Sequence, residues 1–415
     1  MGKFCAKLCS LVLCLSGGTA AFGQQNAAKT PRQPLQVSAS FFTSLNTTKK
    51  HLAFNKLSAA TNAAAQQQDP RIVSVPNFTR SFTFGGQVFP YTMVGKDPSR
   101  KQTTTVPTQY VPMSFFFDEF VDQNGNNIVI DTTTITDEIK QSPLFENSPF
   151  ATGFTQYEDA QMRAEFYPLF NKNGDNDGDD NFHVLLGQPQ TLIPVTIEVP
   201  FGSSIVFQAP DGSLGTLIDI NFILSQLNTL VQTEPISVNA IPIFLTRNAV
   251  YGDFLKQQPA KCCIGGFHTA FEASQAGNKI FVQTFVFATS LDADIADLVF
   301  SDPTIFADVY GLSHELGETL NDPFINNLTP NYQLPGAPAG ACQNALEVGD
   351  VVENLANPSL PITLHGFTYH PQTLALLQWF EGKVPSDAIN GDYSFPDPTR
   401  LTAPFMACPA TPPAS

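Results

Sequence analysis

Basic residues are scarce in this chain. Lysine and arginine number 21 against 37 aspartates and glutamates, a net charge of −16. That balance argues against a nucleic-acid partner, because phosphates would be repelled. Beyond the N-terminus no segment is long and apolar enough to cross a bilayer, so no membrane span is expected. A Gly-rich phosphate loop is missing, and so is a Gly-x-Ser-x-Gly elbow, so neither nucleotide binding nor a serine hydrolase is supported. There is no internal repeat. What remains is a globular composition of 415 residues, rich in phenylalanine, with room for one large domain or two small ones.

The N-terminus has the form of a secretory signal. Lys3 and Lys7 make a positive start, residues 8–15 are a short apolar run, and Ala21-Phe22-Gly23 resembles a cleavage site. Residues 1–23 are therefore read as a signal peptide, and the protein as secreted: extracellular, periplasmic or in the cell envelope. Cys5, Cys9 and Cys14 leave with that segment, and Cys262, Cys263, Cys342 and Cys408 stay. An even number of cysteines in an exported chain favours disulfides. A bridge between the adjacent Cys262 and Cys263 closes a strained ring, so each is expected to pair with Cys342 or Cys408.

Residues 24–70 are rich in Ala, Gln, Thr and Ser and read as a low-complexity linker or partly helical arm, since they bury too little to offset ordering. Residues 71–408 read as a single α+β domain, and residues 409–415 as a loose tail. The first half is strand-rich. Arg80-Ser81-Phe82-Thr83-Phe84 alternates, and Ser114-Phe115-Phe116-Phe117 and Ile128-Val129-Ile130 flank the turn signal Asn124-Gly125. Helices are expected near residues 157–166 and 217–231. Ile280-Phe281-Val282-Gln283-Thr284-Phe285-Val286-Phe287 reads as a strand. Asp302-Pro303 is expected to open a helix that Asn321-Asp322-Pro323 closes.

That helix carries His314-Glu315-Leu316-Gly317-Glu318. His314 and Glu318, four residues apart, share one helical face, where two ligand atoms can converge on a cation. The pattern is the His-Glu-x-x-His zinc helix of zincins with glutamate for the second histidine. A carboxylate still binds zinc, although it makes the site harder and more anionic. Glu315 is placed to act as base on a cation-bound water. A third ligand must come from elsewhere, and Leu346-Glu347-Val348-Gly349-Asp350 offers Glu347. Asp350 is then a partner orienting His314 or, with the roles reversed, the ligand.

Over residues 260–382 the chain resembles the secreted exordium-like (phosphate-induced) proteins of plants and related bacterial secreted proteins. Cys263-Ile264-Gly265-Gly266-Phe267-His268 carries the likeness, followed in order by Ser313 to Glu318, Asn321-Asp322-Pro323, Glu347-Val348-Gly349-Asp350 and Gln378-Trp379. The resemblance implies export and a wall or extracellular setting more than a reaction. It also marks His268 as a further ligand or substrate-binding donor. Val351 and Val352 stand where those proteins have a cysteine, so their disulfide pattern does not carry over.

Residues 171–181 resemble a calcium loop, with Asn173, Asp175, Asp177 and Asp179 as candidate ligands for Ca2+, but Val184 stands where an EF-hand closes with glutamate. His365 and His370, beside Gly366, read as structural residues of a hairpin. Two functions compete. In the first, a metal-dependent, peptidase-like hydrolase holds Zn2+ on His314, Glu318 and Glu347, with Glu315 as base. In the second, a non-catalytic extracellular or envelope protein carries a structural or vestigial metal site. The sequence does not name the extracellular substrate or envelope component.

Overall fold

The computed structural model describes residues 31–43, 45, 57–170, 181–255, 258–337, 340–376, 394–397, 399–401 and 408. Its architecture is α+β. Four strands are the main members of the largest sheet: β1 (Thr108–Val121), β2 (Ile241–Arg247), β3 (Gly266–Ala276) and β4 (Lys279–Ser290). β1 and β2 run parallel, with Tyr110 opposite Ile243, and β2 and β4 run parallel, with Ile243 opposite Val286. β3 returns antiparallel to β4, with His268 opposite Val286, and ends the sheet on that side. The hairpin at Asn124-Gly125 forms as expected, pairing Phe115–Phe117 with Ile128–Ile130 around Gly125 at φ 83°. A smaller sheet contains Ser204–Gln208, Leu214–Asp219, Ala249–Leu255 and Gln258–Ile264, with Leu35–Gln36 along one edge.

Both faces of the large sheet are covered. Ile241, Ile243 and Leu245 of β2 pack on one face with Val286 and Ala288 of β4. Phe244, Phe285 and Phe287 alternate to the other face and meet Ile223 and Leu227 of a helix, Ile220–Thr233. Covering on both sides explains why β2 and β4 read as nearly unbroken apolar runs. The first face carries two further helices, which position the candidate site: α1 (Tyr157–Glu165) and α2 (Tyr310–Asn321). Leu312, Leu316 and Leu320 of α2, with Val309 just before it, recur every three or four residues and form the stripe that docks on the sheet.

α2 starts later than expected. Asp302 and Pro303 lie in a turn, where Asp302 Oδ1 accepts from the Thr304 backbone N–H at 2.8 Å and from its hydroxyl at 2.7 Å. Phe306 (φ 56°) and Asp308 (φ 39°) then take left-handed backbone, which a right-handed helix does not admit, so the helix begins at Tyr310. Its end at Asn321, before Asp322 and Pro323, is as expected.

The stretch expected as a linker is partly ordered. Ala59–Gln66 is a helix whose first turn is capped by Ser58, and Leu57 and Ala65 pack with Ala270, Val282 and Phe324. Thr61 Oγ1 donates to Glu272 at 2.8 Å. Alanine, neutral in hydropathic pattern, is a strong helix former, and the sheet supplies the apolar partner that the segment lacks in isolation. Residues 1–23, 171–180 and 409–415, which hold the expected signal, calcium loop and tail, lie outside the described residues, as do Gln378 and Trp379.

The expected cysteine pairing is corrected. Cys262 and Cys263 lie at disulfide distance from each other, adjacent on the 258–264 strand and joined through a cis peptide that sets their Cα atoms 3.0 Å apart. Cys342 and Cys408 form the second pair, with Cα atoms 6.0 Å apart across a separation of 66 residues. That spacing suits an unforced bridge. Digestion without reduction is expected to release a peptide pair joining Cys342 to Cys408. A mass-spectrometric map joining Cys342 to Cys262 or Cys263 would overturn this connectivity.

Candidate metal centre

Three glycines make the centre possible. Gly266 and His268 are two apart on β3 and so project to one face of the sheet, the face on which α2 lies. A Cβ at Gly266 would stand 2.9 Å from Glu315 Oε1 and 2.7 Å from the Phe287 carbonyl oxygen, so glycine lets the Glu315 carboxylate come down onto the strand. A Cβ at Gly349 would stand 2.6 Å from His314 Nδ1. At Gly317, inside the motif itself, it would meet Leu374 at 2.4 Å and Glu158 Oε2 at 3.1 Å, so this glycine allows α1 to approach α2 closely.

Two groups of ligand atoms result. Around His314 Nε2 stand Glu318 Oε1 at 3.2 Å, Asp350 Oδ1 at 3.8 Å and Glu315 Oε1 at 3.9 Å. Around His268 Nδ1 stand Glu318 Oε2 at 3.3 Å and Glu315 Oε2 at 3.4 Å. His314, Glu318 and Asp350 form one set of atoms able to hold a metal ion, and His268, Glu315 and Glu318 form another. His314, Glu315, Glu318 and His268 are all buried, whereas the Asp350 side chain keeps 18% of its surface exposed and marks the open side.

The ring of His314 is held from behind. Its Nδ1 lies 2.5 Å from Gln372 Oε1, and Gln372 Nε2 donates to the Gly349 carbonyl at 2.8 Å, which makes Oε1 the acceptor. Nδ1 therefore carries the proton and Nε2 offers its lone pair, the tautomer that a metal ligand requires. Gln372 is itself fixed: its N–H donates to Ser313 Oγ at 2.8 Å, and its carbonyl accepts from the Tyr157 hydroxyl. Glu318 Oε1 also accepts from the backbone N–H groups of Gly349 at 3.2 Å and Asp350 at 3.3 Å, which ties the 346–350 segment to α2.

The electrostatics of the cluster are extreme. Burial alone would lower His314, but the Glu318 and Glu315 carboxylates outweigh it and hold the imidazole well above its ordinary value. Burial would also lower His268, yet Glu347 first, then Glu315 and Glu318, raise it well above. Burial would raise Glu318, but the His314 and His268 imidazoles hold it well below the usual carboxylate range, while Glu315 is raised by burial. Imidazoles and carboxylates of the cluster thus oppose one another's desolvation.

Each sequence-predicted residue now has a place. His314, Glu315 and Glu318 come together with Asp350, which takes the third position beside His314. Glu347 belongs to neither atom group. It is half-buried, raised well above the carboxylate range by burial, and its charge acts on His268. His268 enters the cluster directly. Asn173, Asp175, Asp177 and Asp179 lie outside the described residues. His365 sits in the expected hairpin turn with φ 51°, and His370 Nδ1 pairs with Asp308 Oδ2 at 2.7 Å. Sequence reasoning missed Gln372, which follows a proline without any motif, and Glu158. Glu158 is fully buried on α1, both its oxygens lack a hydrogen-bond partner among the described residues, and desolvation raises it well above the carboxylate range.

In comparisons with known proteins, no family model, no curated protein and no solved structure matches the chain.

The support behind His314 is directly testable. If the cluster holds zinc, Gln372→Ala is expected to weaken its binding by about 10–100-fold, the usual cost of losing an orienting partner. Gln372→Glu, which keeps an acceptor for Nδ1–H, is expected to recover most of it. Zinc titration against a chelating dye reads both variants, and a Gln372→Ala protein with unchanged affinity would remove Gln372 from this role.

Proposed function

We propose that this protein is an exported, metal-dependent hydrolase acting on a peptide-like substrate, with zinc as its first candidate metal. One observation carries the reading: His314 Nε2, its tautomer set by Gln372, converges with Glu318 Oε1 and Asp350 Oδ1 at 3.2 and 3.8 Å. Two ligands about 2.1 Å from a tetrahedral ion lie about 3.4 Å apart, so these separations suit one shared cation. Such a cation would supply a water of lowered pKa and a Lewis acid for a carbonyl oxygen.

The chain's own groups do the rest. Asp350, with 18% of its side-chain surface exposed, is the most exposed member of the His314 group. Glu315 Oε1, 3.9 Å from His314 Nε2, faces the same point and is the group to accept a proton there. Glu347 remains a candidate for an added ligand once a cation draws the cluster together. The N-terminal signal-like segment and the paired cysteines support an extracellular or envelope setting.

A second reading has its own observation. His314, Glu315 and Glu318 are 7%, 4% and 3% exposed, which favours a closed, structural cation in a non-catalytic protein. The two readings part on Glu315. In a hydrolase, Glu315→Gln keeps the metal at His314 and loses activity, whereas Glu318→Ala loses both. Zinc content and cleavage of fluorescein-labelled casein measure this. A protein that takes up no zinc would sink the hydrolase and leave the non-catalytic reading with a vestigial site, and one that binds zinc but leaves casein intact supports the structural cation.

A further inference from the structure

The Glu318 carboxylate does not serve one imidazole. Its Oε1 lies 3.2 Å from His314 Nε2 and its Oε2 lies 3.3 Å from His268 Nδ1. Glu315 repeats the pattern, with Oε1 3.9 Å from His314 Nε2 and Oε2 3.4 Å from His268 Nδ1. Two carboxylates therefore lie between two imidazoles, each turning one oxygen to either side. A carboxylate that splits its oxygens in this way is the usual bridge between paired cations about 3.5–4 Å apart.

We propose that the centre is binuclear, with a second divalent cation held by His268 Nδ1, Glu315 Oε2 and Glu318 Oε2, and with Glu318 bridging it to the first. The assignment rests on the metal-dependent reading above. Its separations of 3.3 and 3.4 Å match the roughly 3.4 Å between neighbouring ligands of one tetrahedral ion more closely than those around His314 do.

Charge balance points the same way. Glu315, Glu318 and Asp350 bring three carboxylates to the two groups of ligand atoms, and neutral imidazoles offset none of them. One dication leaves one of those negative charges unbalanced. With Oε2 engaged, Glu315 Oε1 still faces the first cation and remains able to accept a proton.

The two positions are unequal. His314 is oriented by Gln372, whereas His268 Nε2 is buried without a hydrogen-bond partner among the described residues. The missing orienting bond makes the His268 position the weaker, so the cations are expected to load in sequence, the second about 10–100-fold less tightly.

The test is stoichiometry. The purified full chain, stripped with a chelator and dialysed against excess zinc, is expected to hold two zinc ions by plasma mass spectrometry. His268→Asn is expected to hold one, and Asp350→Asn to weaken the other position. Manganese loading of the unmodified protein gives a readout that needs no variant: a bridged pair yields an exchange-coupled resonance signal, and an isolated ion yields six lines. Saturation at one ion, a His268→Asn protein with undiminished metal, or a six-line spectrum at full loading would each reject the pair. If saturation at one ion disappears in His314→Ala, the mononuclear proposal stands while the binuclear one falls.

Discussion

Charge confined in a dry volume governs this part of the molecule. Two imidazoles and the carboxylates of Glu315 and Glu318 are almost completely buried together, and an unpaired buried charge costs several kcal/mol. The surroundings meet that cost residue by residue. Glu318 lies against both imidazoles and two backbone N–H groups, and Glu315 is placed by the absence of a side chain at Gly266. Asp350 and the 346–350 segment are drawn in because Glu318 accepts their N–H groups. Loss of any one contact leaves the others uncompensated, so the cluster behaves as a unit.

The scaffold that carries the cluster is ordinary. Leu312, Leu316 and Leu320 seat α2 on the sheet, and truncation of such a buried leucine typically costs about 2–5 kcal/mol. β2 and β4 are covered on both faces, while β3, at the sheet's border, delivers His268. The arrangement separates tasks. The apolar stripe of α2 fixes where the helix lies, and its polar residues are left to define the chemistry. Because the clustered imidazoles and carboxylates come from α2, β3 and the 346–350 segment, a cation held there would tie together parts of the chain distant in sequence and be coupled to their folding.

Part of this was readable from the residues in order. The spacing of His314 and Glu318 places both on one helical face whatever the tertiary fold, because helix geometry is local. The turn at Asn124-Gly125, the strand over residues 280–287 and the helix near residues 157–166 follow from equally local preferences, and the structure contains them. The start of α2 was not readable. Asp302-Pro303 has the local form of a helix opening, and only the left-handed backbone at Phe306 and Asp308 defers it.

The sequence by itself determined the acidic balance, the period-two and period-3.6 patterns, and the pairing of an imidazole with a carboxylate one helical turn away. Tertiary structure decided which distant groups answer that pair. Asp350 rather than Glu347 reaches His314, His268 joins across Glu315 and Glu318, and Gln372 sets the tautomer. Cys262 meets Cys263, while Cys342 meets Cys408. The reason is range: hydrogen-bond and ligand geometry act over about 3 Å in space, and separation along the chain carries no information about that distance unless one helix or one turn spans it.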